Sequence, residues 1–370
     1  MSSSNLSSYA YLLFCVFKVY FVLLNAFNIK NEQGKVMLFG QKFKKVIKTT
    51  VAVATFAALS VSTTSVSAET LRGASMFDGN HTFTKTLVKF GDLVKQYYDS
   101  DVEFDLRLNG ELGVESDYVT FLNQGVAIDY TILAPSNMAR FAPSIPLMDM
   151  PFLFRDLDHW NAVLSSDTLA PLEKELSEKA DIVIVGYAGG GTRNLISSKR
   201  ISNMDELAGH KMRVMGAPIQ AQIFAAIGAS PSAISYNEVY NAIQTGVVSG
   251  LENEAASIQN LKFYEVAPNV TLTSHSITVR PIVFSGKSFR KLPEKLQAAI
   301  KKAGKEAGDF GRELEAREDG IKLKQMADAG EIKIAEFTDR DKLLTIVKPV
   351  QDKFAESINA TELLEAIRSK

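Results

Sequence analysis

Residues 182–191 decide the fold, and their sequence is Ile-Val-Ile-Val-Gly-Tyr-Ala-Gly-Gly-Gly. The β-branched run Ile182–Gly186 predicts a buried strand that passes directly into the glycines at 189–191. Short β-like runs alternate with amphipathic helices before this stretch, and the alternation starts again after it. Because such alternation is typical of α/β architecture, we predict an α/β unit on each side of the glycine run.

The segment before the glycine run contains two predicted strand and helix units. Leu71–Met76 predicts a strand, and Thr84–Tyr98 predicts a helix with one apolar face. From Val102 to Leu108 apolar and polar residues alternate, as in a half-buried strand. A further helix and a strand at 130–134 complete the second unit, and the prolines between 143 and 151 mark a loop-rich passage.

The segment after the glycine run repeats the alternation and ends in a long helix. The predicted elements are, in chain order, a strand at Lys211–Met215, helices at Ile219–Ile227 and Glu238–Thr245, and strands at Gly250–Glu252 and Val279–Ser285. The helical pattern from Pro293 to Ala329 follows. At 1.5 Å of rise per residue, that helix is long enough to run across both units.

The N-terminal residues have the pattern of an export signal. Lysines between 42 and 48 precede an apolar stretch at 51–61, and Val66-Ser67-Ala68 ends in the small residues that a signal peptidase accepts. We therefore predict a signal peptide at 37–68 and a mature chain that starts at Glu69. We interpret residues 1–36 as spurious upstream translation; the alternative is a transmembrane anchor, which about 20 apolar residues could provide.

Charge and cysteine content narrow the function of residues 69–370. These 302 residues suffice for two domains of ordinary size or one large domain. The only cysteine is Cys15, so the exported chain has no disulfide, which suits a periplasm without proving one. The first 68 residues carry seven lysines and one glutamate, so the remainder of a chain of net charge −1 carries −7. A protein this acidic is a poor nucleic-acid binder.

Enzyme signatures are incomplete in this sequence. Gly286-Lys287-Ser288 resembles the end of a phosphate-binding loop, but Pro281 stands where the first glycine of that loop belongs. The glycines at 189–191 lack the spacing of a dinucleotide-binding turn. The histidines form no His-x-x-x-His pair and have no cysteine to complete a zinc set: His81, His159, His210 and His275. We therefore predict no catalytic residue, no metal and no cofactor.

Three polar residues have contexts that suit carboxylate binding. Arg193 follows three glycines and a threonine, Arg213 lies in Lys-Met-Arg-Val, and Asn253 lies in Gly-Leu-Glu-Asn-Glu. A guanidinium group offers a planar fork of donors that matches the two oxygens of a carboxylate, and an amide adds a donor without adding charge. The sequence therefore predicts a binding site for an organic acid.

Longer motifs extend this pattern over the whole chain from Glu69 onward. They are Asn-Gly-Glu-Leu-Gly (109–113), Met-Asp-Met-Pro-Phe-Leu-Phe-Arg (148–155), Gly-Thr-Arg-Asn-Leu (191–195), Met-Asp-Glu-Leu-Ala-Gly-His-Lys-Met-Arg-Val (204–214), Asn-Glu-Val-Tyr-Asn-Ala-Ile-Gln-Thr-Gly-Val-Val-Ser-Gly-Leu-Glu-Asn (237–253) and Lys-Phe-Tyr-Glu-Val (262–266). In order and spacing they resemble the periplasmic substrate-binding subunits of TRAP transporters, the DctP-like family.

The resemblance implies a fold and a role. The fold is an α/β, two-lobe periplasmic-binding-protein (flytrap) fold with crossing hinge strands and a long helix spanning both lobes. Lobe I would comprise 69–190 plus 279–318, and lobe II 191–278 plus 319–370. The role is that of a periplasmic receptor, not an enzyme, that delivers a small organic acid to a small and a large membrane subunit driven by a sodium gradient. We expect a monomer.

The resemblance also assigns site residues. It implies that Arg213 pairs with the substrate carboxylate, that Arg193 is the second arginine near it, and that Asn253 adds a hydrogen bond. The further residues that it implies at the ligand are Tyr236, the first-lobe residues Glu115, Asn137 and Met76, and Arg280, where the chain recrosses between the lobes. Two alternatives stay open, because Asn253 could instead cap the helix that follows it and Tyr236 could simply pack in the core.

These residues narrow the range of possible ligands but do not identify one. Glycine at 216 and alanine at 134 replace polar side chains of the sialic-acid binders, so sialic acid is not expected. Glu115 helps an anionic ligand only by accepting from hydroxyls, which favours a sugar acid, whereas Arg280 as a second carboxylate partner favours a dicarboxylate. The competing functions are a flytrap receptor of an ATP-driven importer or a sensor kinase, and a secreted enzyme acting on sugar acids.

Overall fold

Nine strands of the described residues form one sheet. They are β1 (Glu69–Ala74), β2 (Val102–Arg107), β3 (Tyr130–Ile132), β4 (Ile182–Ser197), β5 (Lys211–Val214), β6 (Ser230–Ala233), β7 (Gly250–Asn253), β8 (Asn269–Ser285) and β9 (Lys333–Glu336). Their order is β2-β1-β3-β8-β4-β7-β5-β6, and β9 pairs with β8. The computed structural model describes residues 69–370, so the predicted signal peptide at 37–68 and residues 1–36 lie outside the described residues.

Helices cover the sheet. They are α1 (Thr82–Tyr97), α2 (Glu115–Gln124), α3 (Leu157–Leu164), α4 (Ala170–Ala180), α5 (Met204–Leu207), α6 (Pro218–Ala226), α7 (Val239–Gln244), α8 (Ala255–Asn260), α9 (Gly286–Phe289), α10 (Glu294–Asp328), α11 (Arg340–Ser357) and α12 (Thr361–Ser369). None of the helices within 69–370 combines the length and the apolar character that a membrane span requires. The predicted α/β class is confirmed, and α10 matches the predicted long helix within one residue at each end.

The central pair of strands is longer than the sequence pattern predicted. Strand β4 does not end at the glycine run but continues to Ser197, and β8 begins at Asn269 rather than at Val279. The first half of β8 escaped prediction because most of its buried side chains are polar, among them Thr271 and Thr273. The two strands pair antiparallel along most of their length, with a shift in register between Gly189 and Thr192.

Helix α10 crosses this strand pair at backbone contact. A Cβ atom on Gly186 of β4 would lie 1.9 Å from the carbonyl oxygen of Gly304, and one on Gly308 would lie 2.6 Å from that of Tyr187. No side chain fits at these positions, so the glycines allow the helix to lie directly on the strand. This packing fixes the long helix across the middle of the sheet.

The C-terminal helices tie distant parts of the chain together. Gln351 of α11 donates to the carbonyl oxygen of Pro151 at 2.7 Å, and Arg155 donates to that of Arg368 in α12 at 2.6 Å. The apolar residues of α11 and α12 belong to the same buried cluster as Trp160 and the residues of α6. The end of the chain thus packs both on the segment before β4 and on the segment after it.

Candidate ligand-binding site

A cavity of about 260 Å³ opens where several strands end. Seven of the eight predicted site residues line it: Glu115, Asn137, Arg193, Arg213, Tyr236, Asn253 and Arg280. The eighth, Met76, is not among the lining residues; it lies beside Gly110, where its Cε is 3.6 Å from the position of a Cβ on that glycine. Residues that are far apart in sequence therefore meet at one place.

Sheet topology explains why they meet. The parallel strands β5, β6 and β7 end at the cavity, with Met215, Ala233 and Asn253 at or just beyond their carboxyl ends. Ligands bind at the carboxyl ends of strands in open α/β sheets because the loops there converge. The opposite wall comes from Glu115, the first residue of α2, and from Asn137 in the short 3₁₀ turn after β3.

Arg193 is held in a buried ion-pair network. Its Nε and Nη2 donate to the two carboxylate oxygens of Glu252, at 2.5 and 2.8 Å, and Nη1 donates to the carboxylate of Glu254. Burial alone would lower the pKa of this guanidinium, but the two carboxylates outweigh burial and raise the pKa. Most donors of Arg193 are therefore committed to the protein, although the side chain lines the cavity.

Arg213 has a different environment. Its Nε donates to the carbonyl oxygen of Ile234 at 3.0 Å, and its Nη1 and Nη2 have no hydrogen-bond partner among residues 69–370. The guanidinium lies over the ring of Tyr236, 5.2 Å from the ring centroid, and the residue is only 5% exposed. Burial lowers the pKa of Arg213 against a partial opposing effect of Glu252. The free fork of a buried arginine suits a carboxylate ligand.

Arg280, Glu115 and Asn137 form a second network on the opposite wall. Arg280 Nη1 donates to Oε1 of Glu115 at 2.7 Å, while Oε2 accepts from the Asn137 amide at 2.7 Å and from the backbone N–H of Ala134 at 2.8 Å. Burial would lower the pKa of Arg280, but Glu115 raises it above the ordinary value. The guanidinium also lies 4.6 Å from the ring centroid of Phe83. Glu115 and Asn137, two of the first-lobe residues predicted at the ligand, are thus hydrogen-bonded to each other.

Asn253 connects a neighbour of Arg213, which is Tyr236, with a neighbour of Arg193, which is Glu254. Its amide donates to the hydroxyl of Tyr236 at 2.7 Å, and its oxygen accepts from the backbone N–H of Glu254 at 3.1 Å. Helix α8 begins after Glu254, and the Asn253 oxygen makes no bond to the N–H groups of its first turn among the described contacts. The Tyr236 ring packs edge-on against Phe263. Tyr236 therefore combines packing with a hydroxyl that faces the site residues.

Comparison with known proteins gives the family. Residues 74–357 match the model of the bacterial extracellular solute-binding protein family 7, DctP. The chain belongs to this family. A relative, a solute-binding protein of Sulfitobacter sp. (strain NAS-14.1), is 74% identical over 309 residues, which are 83% of this chain and 94% of the relative.

Solved structures of TRAP periplasmic solute-binding proteins have the same fold. A TRAP periplasmic solute-binding protein from Sulfitobacter sp. NAS-14.1 with bound α-D-taluronate is 75% identical, with a TM-score of 0.81 over 81% of this chain and 98% of that chain. One from Citrobacter koseri with bound D-glucuronate is 28% identical, with a TM-score of 0.75 over 81% of this chain and 98% of that chain. The predicted two-lobe fold and the class of TRAP solute-binding protein are confirmed.

Several residues of this family 7 site were not predicted from the sequence. Glu252 precedes Asn253 on the fully buried strand β7, and Glu254 is the buried residue that follows the strand. His275 Nε2 donates to the Glu252 carboxylate, 3.2 Å from Oε2. Burial would raise the pKa of Glu252, but Arg193 and His275 hold it at about 2, so the carboxylate is ionised. Two glutamates at the end of an apolar strand pattern were a visible signal of a buried cation, and only the resemblance drew attention to the asparagine between them.

A buried polar contact joins a segment from before β4 to a segment from after it. Gln220 of α6 donates to the hydroxyl oxygen of Ser136 at 3.1 Å and to the backbone oxygen of Asp149 at 3.0 Å. Ser136 donates in turn to the Asp149 carboxylate through its backbone N–H and its hydroxyl. Burial raises the pKa of Asp149 to about 7, although the Ser136 hydrogen bonds act in the opposite direction. No group of three metal-ligating side chains occurs within residues 69–370.

Proposed function

We propose that this protein is the extracytoplasmic receptor of a TRAP transporter for a sugar acid, and that Arg213 binds the carboxylate of the ligand. The main support for this proposal is the state of the Arg213 guanidinium. It is buried at the cavity wall, and its two Nη groups lack partners among the described residues. Charge-assisted hydrogen bonds from such a fork are the strong ones. A ligand carboxylate would complete them.

The relatives support a sugar acid over other acids. The 75% identical TRAP protein holds α-D-taluronate, and two relatives with 26% and 28% identity hold β-D-galacturonate and D-glucuronate. A uronate carries one carboxylate for Arg213 and several hydroxyls. Asn137 and Glu115 on the opposite wall offer an amide oxygen and carboxylate oxygens that can accept from such hydroxyls. We propose that Arg193, Tyr236, Asn253 and Arg280 complete the binding site.

Ligand binding is coupled to closure of two lobes in this proposal. We place the lobe boundaries at 190/191, 278/279 and 318/319, and the shift in register between β4 and β8 at the first two supports that placement. A ligand that bridges both walls favours the closed arrangement by its differential affinity for it. The closed receptor then delivers the unchanged acid to a small and a large membrane subunit. A signal peptide at 37–68 would export the chain.

The test is a ligand screen with the purified protein. We expect uronates and aldonates to raise the midpoint of thermal unfolding and to bind with micromolar or tighter dissociation constants in calorimetry. Simple dicarboxylates and keto acids form the comparison set. A screen in which no sugar acid binds would reject the proposal. Chromatography of the incubated ligand tests the second part, because an enzyme would convert the acid and a receptor would return it unchanged.

A further inference from the structure

Glu115 neutralises one of the three arginines at the cavity. Its carboxylate lies 2.7 Å from Arg280 Nη1, and both side chains are less than 10% exposed. The same carboxylate accepts from Asn137 and from the backbone N–H of Ala134, so its position is fixed from three sides. Arg280 is therefore already paired before any ligand arrives.

The other two arginines differ in whether a carboxylate of the protein already binds them. Glu252 and Glu254 together carry two negative charges against the single positive charge of Arg193. Among the cavity-lining residues that the structure describes, Arg213 is then the one cation without a carboxylate partner. The cavity has three arginines but offers an unpaired positive charge for one carboxylate only.

A second carboxylate on the ligand would meet Glu115 at the opposite wall. Arg280 keeps its Nη2 without a partner among the described residues, so an anion there would lie beside the Glu115 carboxylate that holds Nη1. Two unit charges about 5–6 Å apart at an effective dielectric constant of about 20 repel by an amount that corresponds to roughly 100-fold in a dissociation constant. This repulsion offsets most of the attraction of the second carboxylate to Arg280, so the cost of removing that carboxylate from water stays uncompensated. A hydroxyl at the same place can accept from Arg280 and donate to Glu115.

We propose that Glu115 makes the site selective for sugar acids with one carboxylate, and that it excludes the corresponding dicarboxylates by occupying Arg280. This inference rests on the proposed function, since it assumes that Arg213 binds the first carboxylate. It assigns specificity to an ion pair on the wall opposite Arg213, and it resolves the choice between a sugar acid and a diacid that Arg280 leaves open in the sequence.

Calorimetry with three probes tests this assignment. D-Galacturonate and D-galactonate carry one carboxylate, whereas galactarate has the galactonate chain with a second carboxylate in place of the terminal CH₂OH. The reference is whichever monocarboxylate binds more tightly to the wild-type protein. We expect galactarate to bind at least about 30-fold more weakly than the reference. Glu115→Gln keeps the shape and removes the charge, so it should reduce this ratio at least about tenfold.

A matched charge change serves as the control. Glu111→Gln removes the same charge from an exposed side chain outside the cavity and should leave the ratio unchanged. Galactarate that binds the wild type as tightly as the reference overturns the inference, and so does a ratio that Glu115→Gln leaves unchanged. If Glu115→Gln fails to fold, the wild-type ratio decides alone. A protein that binds none of the three acids would instead refute the proposed function.

Discussion

Replacing Arg213 by methionine separates ligand binding from folding. The guanidinium has a single hydrogen bond to the described residues, from Nε to Ile234, and burial disfavours its charge. Methionine keeps most of the side-chain volume and needs no hydrogen bond. We therefore expect Arg213→Met to lose affinity for the ligand while the ligand-free protein keeps its stability within about 1 kcal/mol.

The expected loss of affinity follows from the two unpartnered Nη groups. A carboxylate that accepts from both makes two charge-assisted hydrogen bonds, and each contributes about 1.5–3 kcal/mol. Their loss, about 3–6 kcal/mol, corresponds to a dissociation constant roughly 10²- to 10⁴-fold higher. Even the lower end of this range is measurable for a ligand with micromolar affinity.

Two measurements on the same samples check this prediction. Calorimetry with the tightest-binding uronate gives the change in dissociation constant, and thermal unfolding without ligand gives the change in stability. Lys211→Met, an exposed position two residues earlier on β5, removes the same charge and should leave both quantities unchanged. A dissociation constant for Arg213→Met within threefold of the wild type, on the order of 0.6 kcal/mol, would refute the carboxylate assignment.

Three further predictions concern stability. Arg193→Met should destabilise the ligand-free protein by about 3–5 kcal/mol in denaturant unfolding, because it leaves two buried carboxylates unpaired; a change below about 1 kcal/mol would contradict this. Gly186→Ala should lower the unfolding midpoint sharply or prevent folding, since its Cβ would lie 1.9 Å from a backbone oxygen. Gly320→Ala, on an open helix face, is the control and should stabilise the protein by about 0.5–1 kcal/mol. Equal effects of the two substitutions would contradict the helix contact. Burial raises the pKa of Asp149 from 3.8 to about 7, so the unfolded state releases this proton at lower pH than the folded state. The free energy of unfolding should therefore fall as pH rises from about 4 to 7. Asp149→Asn should flatten this dependence on pH, and the exposed Asp101→Asn should not.

The helices and strands were predictable from the sequence where the local pattern of apolar and polar residues determines them. Helix α10 followed from its apolar stripe, and β5 and α6 were each predicted within one residue at both ends. The course of β4 through the glycine run was not, because those glycines are required by close neighbours and not by a turn: Thr278 of β8 lies against Gly189, and helix α10 lies against Gly190 and Gly191. A contact across more than a hundred residues leaves no periodicity in the sequence around either partner.

The site was predictable as a set of residues but not as a set of bonds. The sequence and the resemblance named Arg193 and Arg213 as similar side chains near a carboxylate. The structure distinguishes them, because Arg193 is bound to Glu252 and Glu254 while Arg213 keeps its fork free of described partners. Which glutamate reaches which arginine depends on strand register across 59 to 61 residues, and no local motif encodes it.

A crystal structure with the tightest-binding uronate would show which residue holds the ligand carboxylate. We expect the ligand carboxylate to lie in the cavity with its two oxygens at about 2.7–3.1 Å from Nη1 and Nη2 of Arg213, and sugar hydroxyls to face Glu115 and Asn137. A carboxylate bound to Arg280 instead, or a ligand outside the cavity, would contradict this expectation.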